Sequence, residues 1–256
     1  MQKFINRLIP GLTAIVVFGL MEQLLNKPRQ IIIIAFLIIA VCWLGTWQLT
    51  DRKFFNKKLW QLVITPATLL VGGILFFSFL ENPQLQQIFL VFFAGALWTY
   101  FEVVYLWLHF RPKYQPHSLE NISTDLNLVT IFLTASGLYG LMVFFGLPLW
   151  ELTMLFIITA ELLTHQMVWA SGATLSTQWP YVSIITLAVS QVFVAVSYLP
   201  SSMYVNGILV TLSYYFMSGI ARNWLLDIKD TKVIRRYLLL ALIAAGVVLL
   251  SAKWFS

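Results

Sequence analysis

The chain has 256 residues, of which 60% are hydrophobic and 10% charged, whereas an ordinary soluble domain carries about 25% charged residues. That balance excludes a water-soluble globular fold, and the apolar stretches use so much of the chain that too little remains for a separate soluble domain. A net charge of +6 points to anionic lipid headgroups rather than nucleic acid, because the cations fill the gaps between apolar stretches instead of one amphipathic face.

The chain opens on MQKFINRLIPGLTAIVVFGLMEQLL, two cations and then an apolar run. No small-residue cleavage site follows, and Glu22 interrupts the place where one would fall, so this segment is expected to be an uncleaved anchor. Apolar spans are then expected near 9–25, 31–49, 59–80, 87–109, 126–146, 149–170, 180–198, 203–221 and 237–254. The expected fold is all-α, a single integral membrane domain over 1–256, built as a polytopic bundle of about nine transmembrane helices. Eight remain possible if 9–25 lies at the interface.

Lysine and arginine near helix ends bias short connections to the cytoplasm. With the N-terminus inside, Lys3, Arg7, Arg52, Lys53, Lys57, Lys58, Arg111, Lys113, Arg222, Lys229, Lys232, Arg235 and Arg236 are cytoplasmic, against Lys27, Arg29 and Lys253 outside. The expected threading is therefore N-in and C-out, in the plasma membrane of a bacterium. Trp60, Trp150, Trp179, Trp224 and Trp254 fall near span ends, where amphipathic rings prefer to sit. The single cysteine, Cys42, lies inside an apolar run and can form no intrachain disulfide.

Pro66 lies within the third span, where it should kink the helix or free a backbone carbonyl. Ser123 or Thr124 is expected to cap the fifth helix. Small and hydroxyl residues recur at helical spacing: Gln61, Thr65, Thr68 and Gly72; Asn127, Thr130, Thr134 and Gly137; Ser183, Thr186, Ser190 and Ser197; and Tyr204, Gly207, Thr211, Tyr215, Ser218 and Arg222. Such seams let helices approach closely, and the last, which ends in a cation, is the best candidate for a polar conduit.

Three ionisable residues fall near mid-depth. Glu102 shares one face of the fourth span with Trp98, Tyr105 and His109, and Glu161 lies one turn from His165 in the sixth. A charged side chain at the bilayer centre costs about 2.5 to 3.5 kcal/mol, so Glu102, Glu161 and His165, with Tyr105 and His109, are expected to face the bundle interior as an intramembrane polar site. The competing reading is a neutral hydrogen-bonded pair that only fixes helix register. No metal is expected, since an E-x-x-x-H pair without a further His or Cys at ligand spacing is weak. Arg52, Lys53, Lys57, Lys58, Arg235 and Arg236 are candidate lipid-headgroup contacts.

No catalytic residue and no cofactor motif stands out: there is no paired-aspartate signature, no nucleophile beside a base and no glycine-rich phosphate loop. A transporter-like protein with an intramembrane Glu/His site, a scaffold or subunit of a membrane complex, and an intramembrane enzyme acting on a lipid-linked substrate all stay open, with the non-enzymatic readings preferred. The segment LSYYFMSGIARNWLLDIKDTKVIRRYLLLALIAAGVVLLSAKW resembles polytopic membrane proteins of small-genome bacteria through Tyr214, Tyr215, Gly219, Arg222, Arg235, Arg236 and Trp254. The resemblance covers under a quarter of the chain and implies no activity, and a membrane-protein partner or a homo-oligomer stays open.

Overall fold

With no water in hydrocarbon to bond a free peptide group, an apolar segment must satisfy its backbone within itself, and a helix does so. The computed structural model describes residues 2–50, 57–172, 175–225 and 231–252. Among them are nine α-helices and no strand: α1 Gln2–Asn26, α2 Ile31–Leu49, α3 Lys57–Phe77, α4 Pro83–His109, α5 Ser118–Phe145, α6 Leu149–Ala170, α7 Leu175–Val196, α8 Met203–Leu225 and α9 Thr231–Ser251. All but α8 carry an apolar stretch long enough to cross a bilayer. α1 is one of these, over Asn6–Leu25, so the helix that falls short in hydropathy is not the first, as the eight-helix alternative supposed. At 23 residues α8 still has the length to cross, about 34 Å. Its polar seam lowers its hydropathy.

The helices group into two compact units, Met1–Leu126 and Asn127–Ser256. In the first, α1 packs on α4 and α2, and α3 on α2 and α4. Glycines set two of these approaches. A methyl group on Gly45 would lie 2.7 Å from the Thr13 methyl, and one on Gly73 would overlap the Phe93 ring. α3 runs through Pro66 as one helix. Proline has no N–H to offer the carbonyl four residues back, here that of Leu62, and the Tyr100 hydroxyl of α4 donates to that oxygen at 2.7 Å.

In the second unit α6 packs on α7, α7 on α8, and α8 on α9. The Tyr139 hydroxyl of α5 donates to the Phe193 carbonyl of α7 at 2.7 Å. Phe193 stacks between Tyr139 and Phe156, with centroids 4.6 and 4.5 Å away. A methyl on Gly207 of α8 would overlap the Ser136 hydroxyl of α5.

The start of α5 corrects the capping expectation. The helix begins at Ser118, so Ser123 and Thr124 lie within it, and the Thr124 hydroxyl turns back to the Glu120 carbonyl at 2.8 Å. The chain enters α5 through His117, which takes a positive φ of 63° and whose Nδ1 meets the Glu120 carboxylate at 2.9 Å.

Large apolar side chains cover the outside of the helices, among them Ile32, Phe36, Ile88, Phe92, Ile158, Leu187 and Leu250, each more than half exposed. Asn127, Thr130, Thr164, Gln166 and Asn206 are buried. Apolar outside with polar inside is the arrangement of a chain dissolved in lipid. Trp60, Trp150, Trp179 and Trp224 are exposed close to helix ends, whereas Trp254 lies outside the described residues.

Candidate functional site

In the first unit, Glu102, Tyr105 and His109 lie along one side of α4, and the start of α1 meets them. The Arg7 guanidinium donates to the Glu102 carboxylate at 2.5 Å and sits 5.3 Å from the centroid of the Tyr105 ring. The His109 ring lies 5.6 Å beyond Tyr105, and its Nε2 is 2.9 Å from the Leu49 carbonyl at the end of α2. A carbonyl only accepts, so Nε2 carries the proton, and the Asn6 amide nitrogen at 3.3 Å is a contact rather than a second donor to the ring. The Asn6 amide oxygen in turn accepts from Gln48 at 3.4 Å.

Lys58, near the start of α3, lies 5.5 Å from the Trp107 ring centroid. The starts of α1 and α3 and the ends of α2 and α4 therefore share one face of this unit, as alternate threading requires. Chemically the cluster is a clamp. Glu102 is neutralised by Arg7, the cation also faces an aromatic ring, and His109 satisfies a carbonyl that the end of α2 leaves without an intrahelical donor. The arginine side chain is 54% exposed and the glutamate 29%, so the pair fixes geometry more than it adds stability. Sequence reasoning placed the α4 residues on one face but read Arg7 only as a flanking cation and gave Asn6 no role.

In the second unit Glu161 and His165 are one turn apart on α6. The His165 ring lies 6.2 Å from that of Trp179. The expectation that Glu161 turns into the bundle is corrected: its side chain is exposed, in line with Trp150, Met154 and Ile158 and beside Leu162, all exposed. The polar residues that α6 does bury are Thr164 and Gln166. The Asn127 amide of α5 donates to the Gln166 side chain at 3.0 Å and lies 3.3 Å from the Leu163 carbonyl. This buried amide pair was missed, because Gln166 sits in no hydroxyl seam.

The seams themselves are largely internal. Thr65, Thr68, Asn127, Thr130, Thr134, Thr186, Ser190 and Ser218 are buried, though Ser183 is exposed. In the second unit the buried hydroxyls of Thr134, Ser136, Thr186 and Ser190 find no hydrogen-bond partner among the described residues. Among the described residues no three His, Cys, Asp or Glu side chains are grouped to hold a metal ion.

Of the candidate headgroup contacts, Arg235 and Arg236 are exposed on the second turn of α9 and Lys58 faces Trp107 as described. Arg52, Lys53 and the side chain of Lys57 lie outside the described residues. Compared with known protein families, curated proteins and solved structures, the chain matches none. It is an integral membrane protein, a polytopic bundle of helices.

Proposed function

We propose that this chain is a non-enzymatic subunit of an assembly in a bacterial cytoplasmic membrane, and that it docks through the outer face of α6. The observation that carries this reading is the exposure of Glu161 at the thirteenth position of a helix of 22 residues. That places the carboxylate about 18 Å from the start of a helix about 33 Å long, where a charge facing lipid costs about 2.5 to 3.5 kcal/mol. The occupant we assign is a transmembrane helix of another polypeptide carrying a lysine or arginine at that depth. A second copy fits less well. The cations of this chain lie in connections or within about two turns of a helix end, so a parallel copy offers Glu161 only another carboxylate.

After mild solubilisation of the native membrane, the chain is expected in a hetero-oligomer whose second member has such a cation inside a transmembrane segment. Breaking a buried ion pair from one side costs about 3 to 5 kcal/mol, so Glu161→Leu should lower recovery of the complex by a factor of ten or more. Exchanging the two charges between the partners should restore it. An assembly that survives Glu161→Leu, or a native chain recovered by itself, overturns the reading.

The hydroxyl seam of the second unit favours a second reading, a transporter-like polar path. With α5 and α7 running in the same direction, Ser136 and Ser190 each sit three residues before the Tyr139 to Phe193 contact, which puts both hydroxyls at one level. On this reading Ser190→Cys in a Cys42→Ala background reacts with a membrane-impermeant thiol reagent in sealed vesicles. An inert thiol argues for packing alone.

A further inference from the structure

α8 and α9 enclose a cleft of about 380 Å³ lined by Tyr215, Asn223, Arg236, Tyr237 and Leu240, within the usual range for small-molecule sites. Its construction follows from the sequence. A methyl on Gly219 would overlap the Tyr237 ring, so glycine at that position lets the ring lie directly against the α8 backbone. The Tyr215 ring stands 5.2 Å from the Tyr237 ring at 47°, and together they form an aromatic wall. Asn223, two residues from the end of α8, lines the cleft with its amide donating to the Gly219 carbonyl at 2.7 Å. Arg236 contributes a guanidinium to the same cleft as the two tyrosines.

One turn further along α9, on the same side as Arg236, Leu240 supplies an apolar wall that is 48% exposed. The cleft thus has a cationic, hydrogen-bonding mouth toward the connection between α8 and α9 and an apolar depth toward the membrane interior. Under N-in threading that mouth is at the cytoplasmic headgroup level. Arginine presents paired N–H groups that match phosphate oxygens.

We propose that this cleft binds a phosphate-bearing anionic amphiphile, with its phosphate on Arg236 and the tyrosine hydroxyls and its acyl chain along Leu240. The inference is independent of the docking face on α6. Arg235 provides the control. It is equally charged and equally close to the headgroups, yet it does not line the cleft, so a merely electrostatic attraction to the surface makes the two arginines equivalent.

The test uses the full chain in phosphatidylcholine nanodiscs doped with phosphatidylglycerol, with retained lipid counted by native mass spectrometry. Wild type is expected to keep phosphatidylglycerol. Arg236→Gln should lose it about tenfold or more, the worth of a charge-assisted hydrogen bond, and Arg236→Lys should fall between. Arg235→Gln should stay close to wild type. Gly219→Ala, which displaces the Tyr237 ring without changing charge, should also lose lipid. Competition with inorganic phosphate separates the two sources of the group: resistance identifies a lipid, whereas displacement at low concentration keeps the phosphate site and assigns it to a soluble phosphate ester. Equal loss from Arg235→Gln and Arg236→Gln, or retention by Arg236→Gln in a folded protein, overturns the proposal.

Discussion

Tyr100→Phe is expected to destabilise the first unit by about 1 to 3 kcal/mol, the cost of leaving a buried polar group without a partner. Removing the hydroxyl strands the Leu62 carbonyl, which Pro66 has already deprived of its helical donor. Tyr100 is fully buried and no water competes for that oxygen in the bilayer, which puts the effect toward the upper end of the range. The decisive measurement is a double-mutant cycle followed by unfolding in mixed micelles. In a Pro66→Ala background the backbone N–H of residue 66 returns and can satisfy Leu62 itself, so Tyr100→Phe should then cost much less. The coupling between the two sites should be about 1 kcal/mol or more. Equal costs in both backgrounds would mean that the hydroxyl serves packing and not the carbonyl.

That pair also shows what a sequence of this kind makes legible. Length and hydropathy decide helix positions in a bilayer, and the expected spans 31–49 and 149–170 coincide with α2 and α6. Pro66 announces a carbonyl in need of a donor, but nothing in the neighbouring residues tells that the donor is Tyr100, 38 positions away in the chain. The start of α5 went unseen for the opposite reason: residues 118–125 are polar apart from Leu119 and Ile122, so hydropathy ended the span at the membrane edge while the helix continued outward.

The candidate acids divide in the same way. Periodicity put Glu102, Tyr105 and His109 on one face, and that face is where α1 lands. Facing direction is a tertiary property, however, and for Glu161 the rule that polar groups turn inward placed the side chain on the wrong side of α6. α8 is the instructive mixture. Of its predicted seam, Gly207 and Ser218 are buried, whereas Tyr215 lines the cleft beside α9. Gly207 meets Ser136 of α5 while Tyr215 meets Tyr237 of α9, so one polar stripe becomes two surfaces.

Phe193→Ala should be the most damaging truncation in the second unit, at about 2 to 3 kcal/mol, and the size of the loss is informative. In a soluble core a Phe→Ala change costs about 3 to 5 kcal/mol because transfer from water adds to the cavity left behind. Here the separated helices remain in lipid, which solvates a phenyl ring as well as the protein interior does, so the transfer contribution falls away. What is lost is dispersion and two stacked contacts, each worth about 0.5 to 1.5 kcal/mol beyond area. The Phe193 carbonyl that receives the Tyr139 hydroxyl is backbone and survives the substitution. Leu187→Ala on the same helix is the reference, since Leu187 is 59% exposed and exchanges one lipid contact for another, with an expected change within about 0.5 kcal/mol. Unfolding in mixed micelles that shows Phe193→Ala no worse than Leu187→Ala would contradict a packed interior between α5, α6 and α7. A large difference between the two identifies shape complementarity, not burial from water, as what holds this unit together.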